Sequence, residues 1–543
     1  MDYDRDTDSV CAAKHVGMTL DSVLRGWADS QPDRPLLCIG SEITTAQALL
    51  EQVTSLAAQL HQWGVGPGDR VALWAQNSQA WVAWLLAASW RGAAVAVLHP
   101  TLQPDELHHA LEQARPKWLV ADLQCRDRDL RAIANSVLHV EEGVLPPDNP
   151  YGLQGMYFMP SGEGAFGWNT FPRSDLAVPA PGSDPAATAV LVFTSGSSGR
   201  PKLVQLSHQA VLINAMGTAK LAGIQADDRI ASPLPLYHAG GLSSGLVLSL
   251  VTGALWCSQA RFDTDDLIRL ILQQDCTVVQ GVPTMFKALL HQLAGKPLTG
   301  SKLRLAFIGG ARAPAALCRS IEAALGVGRV CVTYGQTEFG PSIALTTGTE
   351  PGVLNEGNVG TPIPGASLRI VDVDGQILPE GAMGEIQVSG PTIMQGYFND
   401  PEATASAVID GGWLRTGDLG LVQEGCLYVL GRLKDMIIRG GENIAASEIE
   451  EVLLKMPGIA EACAVPVYSE YWGETVCVVV QPAKGHDVDG EAVRAHARSL
   501  LPRYKQPEYV LVWNALPLLA SGKINRRHVK EQAAAELSLP TLS

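Results

Sequence analysis

The segment Val192-Phe-Thr-Ser-Gly-Ser-Ser-Gly-Arg-Pro-Lys202 carries the reading of the chain. An apolar run, Ala187–Phe193, empties directly into four hydroxyl side chains, two glycines and a lysine. Glycines such as Gly196 and Gly199 let successive backbone N–H groups turn toward one point, which makes a nest for an anion. Thr194, Ser195, Ser197 and Ser198 add hydroxyl donors and Lys202 adds a positive charge, so the loop suits a polyphosphate. It is not a Walker loop, whose lysine follows the second glycine directly, because Arg200-Pro201 intervene here. A flexible Ser/Gly linker has a similar composition. A linker rarely follows a buried strand so closely or closes on Pro-Lys.

Working outward, the chain alternates between two hydrophobic periods. Arg70–Ala75, Ala93–Leu98 and Lys117–Ala121 read as strands, Ala80–Trp90 and Pro104–Ala114 as helices, and another helix starts near Ser207. Short apolar runs between helical stretches mark a layered α/β body with a parallel sheet. Residues 141–186 are rich in Gly, Pro, Asp and Ser and read as a long irregular connection. Residues 350–430 carry frequent glycines and turn signals such as Asp374-Gly375 and Asp410-Gly411-Gly412, which predict short antiparallel, barrel-like structure. The last stretch reads as a small α+β unit with helices over 446–456 and 490–501 and strands over 460–466 and 475–481.

Composition narrows the function. The 543 residues are 46% hydrophobic and 17% charged, enough to bury sizeable cores, with a net charge of −15. That balance disfavours a protein built to grip nucleic acid or anionic lipid. The ten cysteines form no C-x-x-C pair and no metal-ligand spacing, so they read as buried thiols of a reducing compartment. The acidic start lacks a signal-peptide layout, and the apolar stretches 79–98 and 242–257 are interrupted before they could span a membrane. A cytoplasmic enzyme with no membrane span is expected.

Further segments stand in a fixed order. They are Pro235-Leu-Tyr-His-Ala-Gly-Gly241, Gly281-Val-Pro-Thr-Met-Phe286, Gly309-Gly-Ala311, Tyr334-Gly-Gln-Thr-Glu338, Trp413-Leu-Arg-Thr-Gly-Asp418, Gly431-Arg-Leu-Lys-Asp435 and Ser521-Gly-Lys523. Together with the 192–202 loop, this series resembles the adenylate-forming superfamily of acyl- and aryl-CoA synthetases, luciferases and adenylation domains, on its CoA-ligase branch. The resemblance runs from about residue 19 to 535. It implies an N-terminal adenylate-forming domain over 19–431 and a mobile C-terminal domain over 432–543.

The chemistry so implied joins a carboxylic acid to ATP, releases pyrophosphate, and passes the acyl group to coenzyme A. A carrier-protein phosphopantetheine thiol, and so an acyl carrier protein partner, is the alternative acceptor. Because a carboxylate must attack a negative α-phosphate, the catalyst is mostly electrostatics and positioning. The resemblance assigns Thr194, Ser195, Gly196, Ser197, Ser198, Gly199 and Lys202 to the β- and γ-phosphates, and Thr337 to the α-phosphate. It assigns Glu338 to Mg2+, a hard cation that prefers oxygen ligands. Gly310, Ala311 and Tyr334 would line the adenine slot, while Asp418 and Arg432 would hold the ribose. Lys523 would bridge carboxylate and α-phosphate, Lys434 would sit at the hinge, and Arg439, Gly440 and Gly441 would line the pantetheine tunnel. His238 would border the acyl pocket, although a lone histidine is more often a structural hydrogen-bonder.

Three features bear on detail. Leu203 stands where the family resemblance puts a glycine after the loop lysine, and a bulky side chain there could restrict loop closure or the neighbouring pocket, which leaves the loop's exact geometry open. Arg312 could meet a second carboxylate on the acid or point to solvent. Residues 494–530 hold eight Lys/Arg against one acid, Glu508, which suggests a basic surface for phosphates or a solvated charged face.

Overall fold

Helix Gln79–Trp90 begins where Ser78 Oγ accepts a hydrogen bond from the Trp81 N–H at 3.0 Å, and all its residues are buried. A run that is apolar all round has no solvent face to offer, so it becomes an inner layer. Ser207 caps helix His208–Ala222 in the same way, and Gly223 ends it in the left-handed conformation. These elements belong to a computed structural model that describes residues 17–140, 145–146, 148–159, 177–194, 201–348, 357–440, 442–518, 524–540 and 542.

The described residues divide into two compact units. The larger comprises those up to Arg369, with Gln387–Arg415 and Glu424–Leu427; the smaller comprises Ile370–Ile386, Thr416–Gln423 and those from Tyr428 onward. The larger unit holds two mixed sheets. In the first, strands Pro35–Ile39, Leu255–Ser258, Arg229–Ala231, Val278–Gly281, Leu305–Gly309 and Arg329–Tyr334 run parallel. In the second, Thr188–Thr194, Ala94–Leu98, Arg70–Trp74, Trp118–Asp122 and Gly155–Met159 run parallel, with Lys202–Ser207 and Gly396–Tyr397 antiparallel at one edge. Functional loops of such sheets leave the carboxyl ends of the strands.

The larger unit departs from the sequence reading in one strand and adds a hairpin for which that reading gave no element. Residues 141–186 are not wholly irregular, because Gly155–Met159 pairs in parallel with Trp118–Asp122. The glycine that signalled a loop is there for packing: a Cβ on Gly155 would lie 2.3 Å from the Trp118 ring. The hairpin of Pro35–Ile39 and Glu42–Thr45 has no clear period in the sequence, yet it completes the edge of the first sheet beside Leu255–Ser258.

In the smaller unit, strands Ile459–Ser469 and Gly473–Pro482 pair antiparallel, and Tyr509–Val512 joins the second of them in parallel. Alternation gives this sheet two apolar faces. Ala462, Ala464, Val476, Val478 and Val480 pack with helices Ala446–Leu454 and Gly490–Leu500. Cys463, Val465, Cys477 and Val479 pack with Val529 and Ala533 of helix Arg526–Glu536.

One buried acid at a strand end makes stability depend on pH. Asp122 Oδ2 accepts a hydrogen bond from the Gln76 N–H at 2.8 Å, and burial pushes its carboxyl up from the ordinary 3.8 to about 6. The folded state then binds a proton more tightly than the unfolded chain, so this contribution is full below about pH 4 and is lost as pH rises through about 6. Asp122→Asn keeps the acceptor without the charge. It is expected to gain on the wild type by about 1 kcal/mol between pH 5 and pH 8, read from urea midpoints at the two pH values. A difference that does not change with pH would refute this.

Candidate functional site

The loop of residues 195–200 lies outside the described residues, but both its ends are in place. Thr194 and Lys202 are register partners on neighbouring antiparallel strands, with Thr194 Oγ1 donating to the Lys202 carbonyl at 3.4 Å. The loop is therefore closed at its base by a strand pair. Leu203 and Lys202 lie on opposite sides of their strand. Alternation turns Leu203 away from the half-buried Lys202, and it is buried with Ala96, Ala114 and Leu191 against Phe193 and Phe398.

Lys202 leads to the second part of the site. Its Nζ stands 4.6 Å over the ring of Tyr397, and the Tyr397 hydroxyl donates to Glu338 Oε1 at 2.9 Å. Burial raises the pKa of Tyr397, and the neighbouring Glu338 carboxylate raises it further, so the phenol keeps its proton and acts as donor. Glu338 and Thr337 lie on a single 3-10 turn, Thr337–Phe339, just beyond strand Arg329–Tyr334. Gly335, at the start of that loop, has room for no side chain, since a Cβ would come within 1.7 Å of the Pro341 carbonyl oxygen.

A buried asparagine holds this loop. Asn214, in the middle of helix His208–Ala222, donates from Nδ2 to the Phe339 carbonyl at 2.8 Å and to the Ser342 carbonyl at 2.7 Å. Its Oδ1 accepts from the Ser342 N–H at 3.1 Å. On the neighbouring strand Gly309 is the register partner of Thr333, so Gly310 and Ala311 emerge beside Tyr334. Gly310, Ala311 and Arg312 are exposed, and Tyr334 is half-buried.

His238 is exposed, one residue before Ala239 caps a π-helix over Gly240–Val247. Such helices concentrate at functional sites. Its ring lies 4.9 Å from Tyr237 and 6.0 Å from His99, while His99 and Tyr237 are 4.3 Å apart. His99 Nδ1 accepts from the Thr101 N–H at 3.1 Å, which leaves the ring proton on Nε2, and burial lowers its pKa. Burial also pushes Tyr237 up to about 12. A second asparagine, Asn77, seats the segment before these rings. Its Nδ2 donates to the Leu234 carbonyl at 2.9 Å and its Oδ1 accepts from the Leu236 N–H at 2.8 Å.

In the smaller unit the Asp418 carboxylate is buried, and Arg432 Nε stands 3.1 Å from its Oδ1. Lys434 is exposed on the 3-10 turn Leu433–Asp435. Arg439 is engaged within this unit: it donates to the Tyr504 and Gln506 carbonyls at 3.2 Å and pairs with Glu508 at 3.3 Å. Gly440 is exposed and follows it in the left-handed conformation, while Gly441 and Lys523 lie outside the described residues.

The basic stretch 494–530 differs from its sequence appearance. Arg526 grips Glu450 with two hydrogen bonds of 2.5 and 2.6 Å and stands 3.6 Å from Asp435. Lys505 pairs with Glu448, Arg494 with Glu491 and Arg527 with Glu531. These partners lie outside the sequence window, so much of its positive charge is neutralised in the fold rather than offered to a ligand.

Sequence reasoning missed Tyr397, Asn214 and Asn77. Only Asn214 carries a signal, as a polar residue inside an otherwise apolar helical run. Asn214→Ala would strip partners from two buried carbonyls and one N–H. The expected cost is about 2–4 kcal/mol of stability, with at least tenfold weaker ATP binding, measured by urea unfolding and nucleotide titration. Unchanged ATP affinity would show that this loop takes no part in binding.

Comparison with known proteins bears on this arrangement. Residues 24–398 match the family model described as AMP-binding enzyme, and residues 448–523 match the AMP-binding enzyme C-terminal domain. Feruloyl-CoA synthase from an Amycolatopsis species is 33% identical over 502 residues, covering 91% of this chain and 94% of that protein. The mitochondrial medium-chain acyl-CoA ligase of Mus musculus is 30% identical, covering 98% of this chain and 90% of that one. The solved structure of o-succinylbenzoate CoA synthetase from Bacillus subtilis, in complex with its acyl-adenylate intermediate, superposes with a TM-score of 0.81 at 28% identity. It covers 95% of this chain and 98% of that one.

Proposed function

The chain belongs to the AMP-binding enzyme family and is an ATP-dependent acid–CoA ligase, and we propose that the residues described above divide its reaction as follows. In the first half-reaction a carboxylate oxygen of a small organic acid attacks the α-phosphorus of ATP, and the bond to the β-phosphate breaks with release of pyrophosphate. In the second, the sulfur of coenzyme A attacks the acyl carbon, and AMP leaves. Transfer to a carrier protein, open from the sequence alone, is not favoured, since the relatives above carry CoA-ligase names.

The base of the 194–202 loop receives the β- and γ-phosphates, with Lys202 as the cation and Thr194 as a hydroxyl donor. Thr337 meets the α-phosphate. Gly310, Ala311 and Tyr334 receive the adenine, an assignment supported by their emergence side by side from adjacent parallel strands. Asp418 accepts from the ribose hydroxyls and Arg432 holds that carboxylate in place, which their 3.1 Å contact supports. His238, with Tyr237 and His99, borders the acid. Lys523 carries the cation that bridges carboxylate and α-phosphate. Ser195 to Gly199 complete the phosphate nest, while Lys434, Arg439, Gly440 and Gly441 serve the hinge and the pantetheine arm. The working division is an N-terminal domain over 19–431 and a C-terminal domain over 432–543.

Glu338 fits a magnesium ion. It is a single half-buried carboxylate, and among the described residues no group of three or more His, Cys, Asp or Glu could hold a metal by itself. Magnesium needs no such cage, because it retains waters and takes phosphate oxygens. When bound, the ion would neutralise charge on the phosphates. No described helix is long and apolar enough to cross a membrane. The described cysteines are all free and buried, which supports a reducing, cytoplasmic setting.

The observation that carries the reading is the contact chain from Lys202 through Tyr397 to Glu338, which joins the base of the phosphate loop to the carboxylate after strand Arg329–Tyr334. A screen of aliphatic, aryl and dicarboxylic acids, with and without coenzyme A, tests it. Acid-dependent pyrophosphate release is expected, with thioester formed only when coenzyme A is present. Thioester formation that requires a carrier protein instead would overturn the choice of acceptor. Lys523→Ala is expected to lower adenylation at least a hundredfold while largely sparing thioester formation from supplied acyl-adenylate, because only the first step brings two anions together. Equal loss of both steps, followed by quench-flow, would assign Lys523 a structural part.

A further inference from the structure

Tyr397 stands in none of the segments that carry the family resemblance, yet both of its ends are committed. Its backbone lies on the short strand Gly396–Tyr397, in register with Val204, and its N–H donates to Thr404 Oγ1 at 2.9 Å. Thr404 Oγ1 in turn donates to the Asp400 carbonyl at 2.8 Å. The Met394 N–H donates to the Glu338 carbonyl at 2.9 Å, so the segment that carries Tyr397 also grips the backbone of the Glu338 turn. The phenol reaches Glu338 Oε1 and the ring face supports Lys202.

We infer that Tyr397 is a positioning residue for nucleotide-bound magnesium: its hydroxyl engages Oε1 of Glu338 so that Oε2 is presented to the cation, and its ring steadies Lys202 beside the phosphates. A glutamate on a one-turn helix has several rotamers open to it. A charge-assisted hydrogen bond from a fixed phenol selects one of them, and supporting bonds of this kind govern how well a carboxylate ligates. The ring contributes separately, because a cation over an aromatic face is attracted to it whether or not the hydroxyl is present. The inference rests on the proposed role of Glu338, and the experiment separates the two.

Tyr397→Phe removes the hydroxyl and keeps the ring, while Tyr397→Leu removes both. Binding of Mn2+ to the protein–ATP complex, read by electron paramagnetic resonance, reports the metal site without turnover. ATP–pyrophosphate exchange against Mg2+ concentration reports it during catalysis, and melting temperatures check the fold. Both variants are expected to bind Mn2+ about tenfold more weakly and to need about tenfold more Mg2+. Only Tyr397→Leu should also raise KM for ATP at saturating Mg2+, by about threefold or more. Wild-type Mn2+ affinity in a folded Tyr397→Phe would overturn the inference, as would weakening that appears in Tyr397→Leu alone. Glu338→Gln is the control for the underlying reading. If it leaves Mn2+ binding intact, Glu338 is not a ligand; if it weakens binding while Tyr397→Phe does not, Tyr397 alone is wrongly placed.

Discussion

Asn214 Nδ2 and Oδ1 make three hydrogen bonds to the backbone of Phe339 and Ser342, inside a helix with no solvent contact at that point. Buried loops need such partners, because a buried amide or carbonyl left unpaired costs about 1–3 kcal/mol, more than a hydrogen bond's net worth. The loop after strand Arg329–Tyr334 turns sharply and makes no ladder of its own. Asn214 replaces that ladder, and with it the positions of Thr337 and Glu338 become definite. Asn77 does the same for Leu234 and Leu236, the residues that lead to Tyr237 and His238. Two side-chain amides thus hold the two loops on which most of the proposed chemistry of the larger unit stands.

Charge is handled locally. The chain carries a net −15 and yet is a nucleotide-dependent ligase. A polyphosphate needs only a few well-placed donors, and at the described edge of the proposed phosphate loop the candidates are Lys202 and the Thr194 hydroxyl. The cations of the C-terminal stretch tell a complementary story. Arg526 and Lys505 are tied to Glu450 and Glu448, far from them in sequence, and so help to hold the smaller unit together. Removing one member of the Arg526–Glu450 pair would strand a largely buried charge, which is costly, even though the pair itself adds little net stability. A count of basic residues along the chain could not separate these roles, since opposite charges far apart in sequence meet only in the fold.

Much of the fold was readable from periodicity. Helix Pro104–Ala114 stands where its proline start and apolar spacing put it, and strands Arg70–Trp74 and Trp118–Asp122 fall within a residue or so of the expected bounds. What escaped was structure whose signal is ambiguous. Gly155 looks like a turn residue, and only the Trp118 ring pressed against it explains a glycine inside a strand. Leu203, whose place after the loop lysine left its part open in the sequence, is sent by strand alternation into a core with Ala96 and Leu191.

The sequence by itself determined the chemistry-bearing segments, their order and the layered α/β class, because those depend on short-range spacing: a strand into a glycine-rich loop, a carboxylate after a strand end, a lysine on a terminal turn. The tertiary structure alone decided which of these residues touch. Lys202 and Glu338 are more than a hundred positions apart, and Tyr397, which joins them, lies in a segment whose sequence announces only turns and short strands. A lone tyrosine has no periodic signature. Its meaning comes from the sheet edge that carries it past two loops, and that edge is set by long-range strand pairing rather than by any local pattern.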